Sequence, residues 1–139
     1  MQARDTRGRF VPLEAWEARF DEKYVIEPNS GCWLWLGALN AAGYGVLYVG
    51  RQARRAHRLS YIRHRGDIPS GKQPDHLCRT RSCVNPWHLE IVTSRENSLR
   101  GNGPAAQCAR RSSCAAGHPF TEETLGYKAD GSRTCLMCQ

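Results

Sequence analysis

Two groups of cysteine and histidine in this 139-residue chain have the residue types and spacing that suit a borderline-soft divalent metal. Cys78, Cys83 and His88 stand at five-residue steps, three ligands within eleven residues. Zinc takes four nitrogen or sulfur donors in a tetrahedron, so a fourth ligand has to come from elsewhere. Cys32 is the natural candidate, because Cys108 lies in a stretch of small and polar residues and the other three cysteines have a grouping of their own. That second group is Cys114, His118, Cys135 and Cys138, a Cys-x-x-x-His followed by a Cys-x-x-Cys. Residues 114–139 hold few apolar side chains, so metal binding would have to supply their folding free energy. A redox role for the Cys-x-x-Cys would call for a βαβ setting, and the surrounding pattern offers none. The plain alternative for the first group is two buried thiols and a packed histidine. Cys108 is expected to be unliganded.

The elements that must position these residues are short. Residues 1–11 read as an arginine-bearing arm without regular structure. A helix should follow from Pro12, with Leu13, Trp16 and Phe20 on one face. Beyond the turn signal Pro28, Asn29, Ser30, Gly31, the run Cys32 to Trp35 reads as a strand, and Tyr44 to Val49 as a second. Trp33 and Trp35 are expected in the core. Ala56 to Arg65 reads as a helix with Leu59 and either Tyr61 or Ile62 inward, and His57, Arg58, Arg63, His64 and Arg65 on a solvated or phosphate-contacting face. Residues 74–101 read strand, long loop, strand, helix: Asp75, His76 and Leu77 begin the first strand and Leu89 to Val92 return. Thr93 and Glu96 have the spacing of a capping box for a helix running to about Arg100 and stopped by Gly101. Residues 102–113 read as a linker of Gly, Pro, Ala and Ser. The domain expectation is therefore a basic arm and short helix at 1–30, a main domain at 31–101, the linker at 102–113 and a zinc-binding module at 114–139.

The formal charge is +7, from 20 Lys and Arg against 13 Asp and Glu. Such a balance fits a basic solvated surface and nucleic-acid binding equally well. Met1 to Phe10 lack an apolar h-region, and no stretch approaches the ~20 apolar residues of a membrane span. A reducing cytoplasmic location is expected, where thiols stay free or bind metal.

Asp75, His76, Leu77, Cys78, then Cys83, Val84, Asn85, Pro86, Trp87, His88, Leu89, and later Arg95, Glu96, Asn97, resemble the HNH endonucleases common in phage genomes. The same residues resemble the His-Cys box homing endonucleases, and the Cys-Val-Asn-Pro-x-His piece looks like the Smad MH1 domain, which binds DNA without cutting it. The likeness covers about residues 31–101. It implies an α+β, zinc-stabilised ββα-metal (His-Me finger) HNH domain, here joined to a C-terminal zinc-binding mini-module. It also implies a structural zinc on Cys32, Cys78, Cys83 and His88, with a second on Cys114, His118, Cys135 and Cys138. With four protein ligands each, neither zinc would keep a position for an activated water.

By the same resemblance His76 is the general base, and Asp75 and Asn97 are ligands of one catalytic ion. Asn97 stands where many HNH enzymes have histidine, which shifts the ion preference toward oxygen-loving Mg²⁺ or Mn²⁺. The implied activity is single-metal hydrolysis of DNA phosphodiesters, with nicking or double-strand cutting and homing or other phage roles left open. The alternative is a zinc-stabilised DNA-binding module that does not cut. Arg58, Arg79, Arg81 and Arg95 are the candidate DNA contacts. Double-stranded DNA is the expected partner, with a second copy of the chain and phage packaging proteins as further candidates and a phage-infected bacterial cell as the setting.

Overall fold

Trp16 and Phe20 lie one helical turn apart, and both side chains are buried. They belong to α1 (Leu13–Asp21) in a computed structural model that describes residues 3–4, 10–11 and 13–138. Pro12 and the side chain of Leu13 lie outside the described residues. Within the arm, β1 (Ala3–Arg4) and β2 (Phe10–Val11) pair antiparallel, so the expectation of an arm without regular structure is corrected there. The rest of the arm lies outside the described residues.

The architecture is α+β, with its strands in antiparallel two-stranded ladders. The chain divides into two units, Met1–Ser94 and Arg95–Gln139. In the first, β3 (Tyr24–Ile26) pairs with β4 (Trp33–Trp35), and β5 (Val46–Val49) with β6 (Gln52–Arg55). Neither β3 nor β6 stands out in the sequence, since Gln-Ala-Arg-Arg carries no apolar alternation for a ladder to reveal. Phe20 sits at the centre of an aromatic core, with ring centroids 5.2 Å from Trp35, 5.6 Å from Tyr24 and 6.2 Å from Trp16. Leu47, Val49, Ala56 and Val84 complete it. Trp35 is core, as expected, while Trp33 is half-buried and stacks on Tyr24 at 4.8 Å.

α2 (Ala56–Arg65) has the expected bounds, and Leu59 packs against the core as expected, but the fully buried residues are others. Ala56, His57 and Ser60 are its buried residues, so His57 is core-facing and not part of a solvated basic face. Small and polar side chains occupy that stripe, and a reading by hydrophobicity passes over them. Two arginines of the expected basic face are tied up within the fold. Arg63 makes a paired contact with Asp21 of α1, at 2.8 and 3.1 Å. Arg65 donates to the carbonyls of Leu89 and Pro86 and lies over the rings of Tyr61 and Trp87.

β7 (Lys72–His76) and β8 (Leu89–Thr93) pair antiparallel, with Asp75 opposite Glu90 and His76 opposite Leu89. β7 begins earlier than expected and ends at His76. α3 (Ser94–Arg100) follows directly, so the order strand, loop, strand, helix is observed. In the second unit the supposed linker contains α4 (Pro104–Arg110), with proline in its first turn where the missing N–H is harmless. A hairpin of β9 (Leu125–Tyr127) and β10 (Arg133–Cys135) completes the unit. Among the described residues of this unit only Ala106 and Cys135 are buried.

Gly45 shows how tightly the aromatic core is closed. A Cβ there would lie 2.7 Å from Cγ and Cδ1 of Trp35 and 3.2 Å from Cβ of Ala56. Neither the indole nor a helix start can yield cheaply. Gly45→Ala is expected to lower stability by about 1–3 kcal/mol, read by urea unfolding. An unchanged midpoint would show that the core is looser than this packing implies.

Candidate functional site

The hairpin turn before β4 presents Cys32. Glu27 accepts from the backbone N–H groups of Asn29 and Ser30 and from the Ser30 hydroxyl. These bonds, the Ser30 hydroxyl first, hold its carboxyl down to about 2. Gly31 takes φ +71°, and the Cys32 N–H then donates to Ser30 Oγ. On the far side of β4, Trp35 N donates to Ser82 O and Val84 N donates to Trp33 O, which bridges Leu34 to Cys83. Backbone pairing thus delivers Cys32 and Cys83 to one place. Cys78 and His88 arrive from the β7–β8 loop, whose neck is closed by Leu77 N donating to His88 O at 2.8 Å. Asn85 fastens the loop: its Oδ1 accepts from Trp87 N, its Nδ2 donates to Gly31 O, and its N–H donates to Cys83 Sγ.

One donor atom from each of Cys32, Cys78, Cys83 and His88 lies within 4.8 Å of every other, and the same holds for Cys114, His118, Cys135 and Cys138. Tetrahedral zinc, at about 2.3 Å from sulfur and about 2.0 Å from nitrogen, sets S···S edges at about 3.8 Å and S···N edges at about 3.6 Å. His88 Nδ1 lies 3.6 Å from Cys32 Sγ and 3.7 Å from Cys83 Sγ. In the second group His118 Nδ1 lies 3.6, 3.7 and 3.3 Å from the sulfurs of Cys114, Cys135 and Cys138. Cys114 Sγ is 3.8 Å from Cys138 Sγ. Both groups could therefore hold a zinc ion, with the histidine bound through Nδ1. Burial pushes the Cys83 thiol up to about 12, so a thiolate there calls for a cation beside it. Cys108 belongs to neither group.

His76, the last residue of β7, is buried against this loop. Its Nε2 lies 2.9 Å from the Cys83 carbonyl oxygen. A carbonyl can only accept, so Nε2 carries the proton and the neutral ring keeps its lone pair on Nδ1. Burial lowers the His76 pKa, with the Cys83 hydrogen bond and Asp75 opposing. Asp75 is also buried, and Oδ1 accepts from Arg79 Nη1 at 3.0 Å. Arg79 reaches back because it adopts a left-handed backbone, φ +59°.

Two further side chains pack on His76, neither of them placed beside it by the sequence reading. The His57 ring is 4.8 Å from it, and Tyr44 packs on both, at 5.3 Å from His57 and 5.8 Å from His76. The guanidinium carbons of Arg55 and Arg81 lie 5.1 and 5.6 Å from the Tyr44 ring centre. Burial, with electrostatic contributions from His76, Arg55 and Arg58, drives the His57 pKa down to about 3. The nearest signal in the sequence is the spacing of His57 and Ser60 on one helix face.

Of the arginines singled out from sequence, Arg81 joins this cluster and also donates to Ala42 O. Arg79 is engaged by Asp75, and Arg58 is exposed on α2. Arg95 and Asn97 belong to α3, the former exposed and the latter half-buried.

The chain is 38% identical over 72 residues to Protein 2.8 of Escherichia phage T7, a stretch covering 50% of this chain and 48% of that protein. It is 34% identical over 67 residues to Protein 7.7 of the same phage, covering 48% and 52%. With an uncharacterized gene 5.3 protein of Enterobacteria phage T3 it shares 37% over 46 residues, covering 33% and 46%. The chain spans about half the length of these curated relatives. No solved structure matches it, and among the described residues no helix is long and apolar enough to cross a membrane. The HNH endonuclease family model matches residues 54–99, from the end of β6 through α2, β7 and β8 into α3. That stretch, which holds His76, three members of the first Cys/His group and the return strand that follows them, is similar to the HNH endonuclease family.

Proposed function

We propose that the protein is a zinc-stabilised, divalent-metal-dependent DNA endonuclease acting in the cytoplasm of a phage-infected cell. The observation that carries this reading is the hydrogen bond from His76 Nε2 to the Cys83 carbonyl. A base that takes a proton from water needs a neutral imidazole of one tautomer, and this bond with the ring's burial supports both conditions. His76 Nδ1 is then the accepting atom. Asp75, oriented by Arg79, and Asn97, through its side-chain oxygen, are the proposed ligands of one Mg²⁺ or Mn²⁺, since hard oxygen donors suit those ions. The chemistry such an ion supplies is charge stabilisation on the phosphate and the departing 3′ oxygen. Arg55 and Arg81 are the proposed phosphate contacts nearest the base. Both zinc ions are proposed as structural, the first fixing the loop that carries the His76 acceptor.

Supercoiled plasmid incubated with the purified protein is expected to be relaxed or linearised only when Mg²⁺ or Mn²⁺ is added. His76→Ala should cut about a hundredfold more slowly or worse. Equal cutting by the two proteins, or none by either, would overturn the assignment. Asn97→Ala should remain folded and lose its ion-dependent cutting.

Cys83→Ala is expected to release the first zinc and unfold the first unit, as read by metal analysis and circular dichroism. A folded variant with full zinc content would contradict the structural role. Chelation should melt the second unit before the first, because the second has almost no apolar core to fall back on.

A further inference from the structure

α2 begins in an electrostatically awkward way. Its N-cap residue is Arg55, which makes no side-chain cap, and its first turn contains no acidic residue. The second and third residues of the helix are His57 and Arg58. The start of a helix carries partial positive charge and unsatisfied N–H groups, so anions are favoured there and cations are not. The Ala56 N–H is satisfied by Gly45 O, and the amides after it have no intrahelical acceptor. Arg81, from another part of the chain, is brought to the same Tyr44 ring that carries Arg55.

The side chain inside this turn supplies a second, independent sign. His57 is only 3% exposed, yet its Nδ1 has no hydrogen-bond partner. An unsatisfied buried nitrogen lowers stability, and a phenylalanine would fill the same space without that loss. Its ring packs between Tyr44 and His76, so the orphaned group belongs to the same cluster as the two guanidinium groups and the proposed base.

We infer that the N-terminus of α2, with Arg55, Arg81 and the His57 imidazole, is the seat of a DNA phosphodiester presented to His76. A phosphate oxygen there accepts from the open helix amides and from the guanidinium forks, and the neutral His57 ring, with its one proton on Nδ1, donates to it. The same anion relieves the repulsion between the cations. This assignment rests on the nuclease reading and extends it by naming what holds the substrate.

The test uses the full-length, zinc-loaded chain without Mg²⁺ or Mn²⁺, followed by ¹⁵N-resolved NMR as inorganic phosphate is added. Saturable shifts are expected at the Ala56, His57 and Arg58 amides and at the His57 ring nitrogens. Arg55→Gln, on an exposed side chain, should weaken phosphate about tenfold. His57→Phe should weaken it by about as much while melting no lower than wild type. A short DNA duplex should displace the phosphate, which separates a substrate seat from a general anion pocket. Absent or non-saturable shifts, undiminished binding by Arg55→Gln, or failure of the duplex to compete would each overturn the inference. If His57→Phe fails to fold, the arginine variant alone decides. Plasmid cutting without phosphate binding at α2 would sink this inference and leave the nuclease reading intact. Phosphate binding at α2 without cutting under any divalent ion would do the reverse.

Discussion

The carbonyl of Cys83 accepts from His76 while the sulfur of the same residue joins Cys32, Cys78 and His88. The backbone around it is bridged to Leu34 in β4, so three connections meet at one residue. Left alone, the thiol would be a protonated, buried group, its pKa raised by desolvation to about 12. A cation held by the four donors changes that balance, because metal ligation favours the thiolate. The orientation of His76 is therefore coupled to the state of the Cys/His group through a single peptide unit. In the first unit the aromatic core holds β4, β4 holds Cys83, and Cys83 holds the imidazole.

The two units solve the problem of small size differently. The first builds a core from Trp16, Phe20, Trp35 and their aliphatic neighbours, which closes around glycines at van der Waals limits. Apolar burial of this kind is worth about 1.5–3 kcal/mol for each large side chain, so the first unit leans on metal less heavily than the second. The second buries only Ala106 and Cys135 among its described residues. Its hairpin and turns return four donors to within 4.8 Å of one another, so coordination replaces the missing core.

Much of this was legible in the sequence where side-chain chemistry is dense. Spacing marks the second Cys/His group and three members of the first, Cys32 being added by elimination and by the family resemblance, while α2 and α3 follow from helical periodicity and end signals. The small β6 and β3 strands were not legible, because Gln52 to Arg55 pairs through its backbone and carries no alternation. The inward face of α2 was only partly legible for a related reason. Leu59 does pack against the core, half-buried, but the residues of this helix that are fully buried are Ala56, His57 and Ser60. Tyr44 and Arg55 come together with His57 and His76 only through tertiary packing, and no local window contains that information.

Net charge is equally silent about where a basic protein is basic. The fold spends Arg63 on Asp21 and Glu17, Arg65 on backbone carbonyls, and Arg79 on Asp75. Each of these arginines has an acceptor that fixes its position. At the start of α2 the rule is reversed: cations stand at the positive end of a helix, no carboxylate is offered in its first turn, and a buried imidazole lacks a partner. A fold optimised only for stability would have placed an acidic cap there and a hydrocarbon in the place of His57. Local rules are broken in this concentrated way where a missing ligand would satisfy them together, and the ligand that satisfies all of these groups is an anion with several acceptor oxygens.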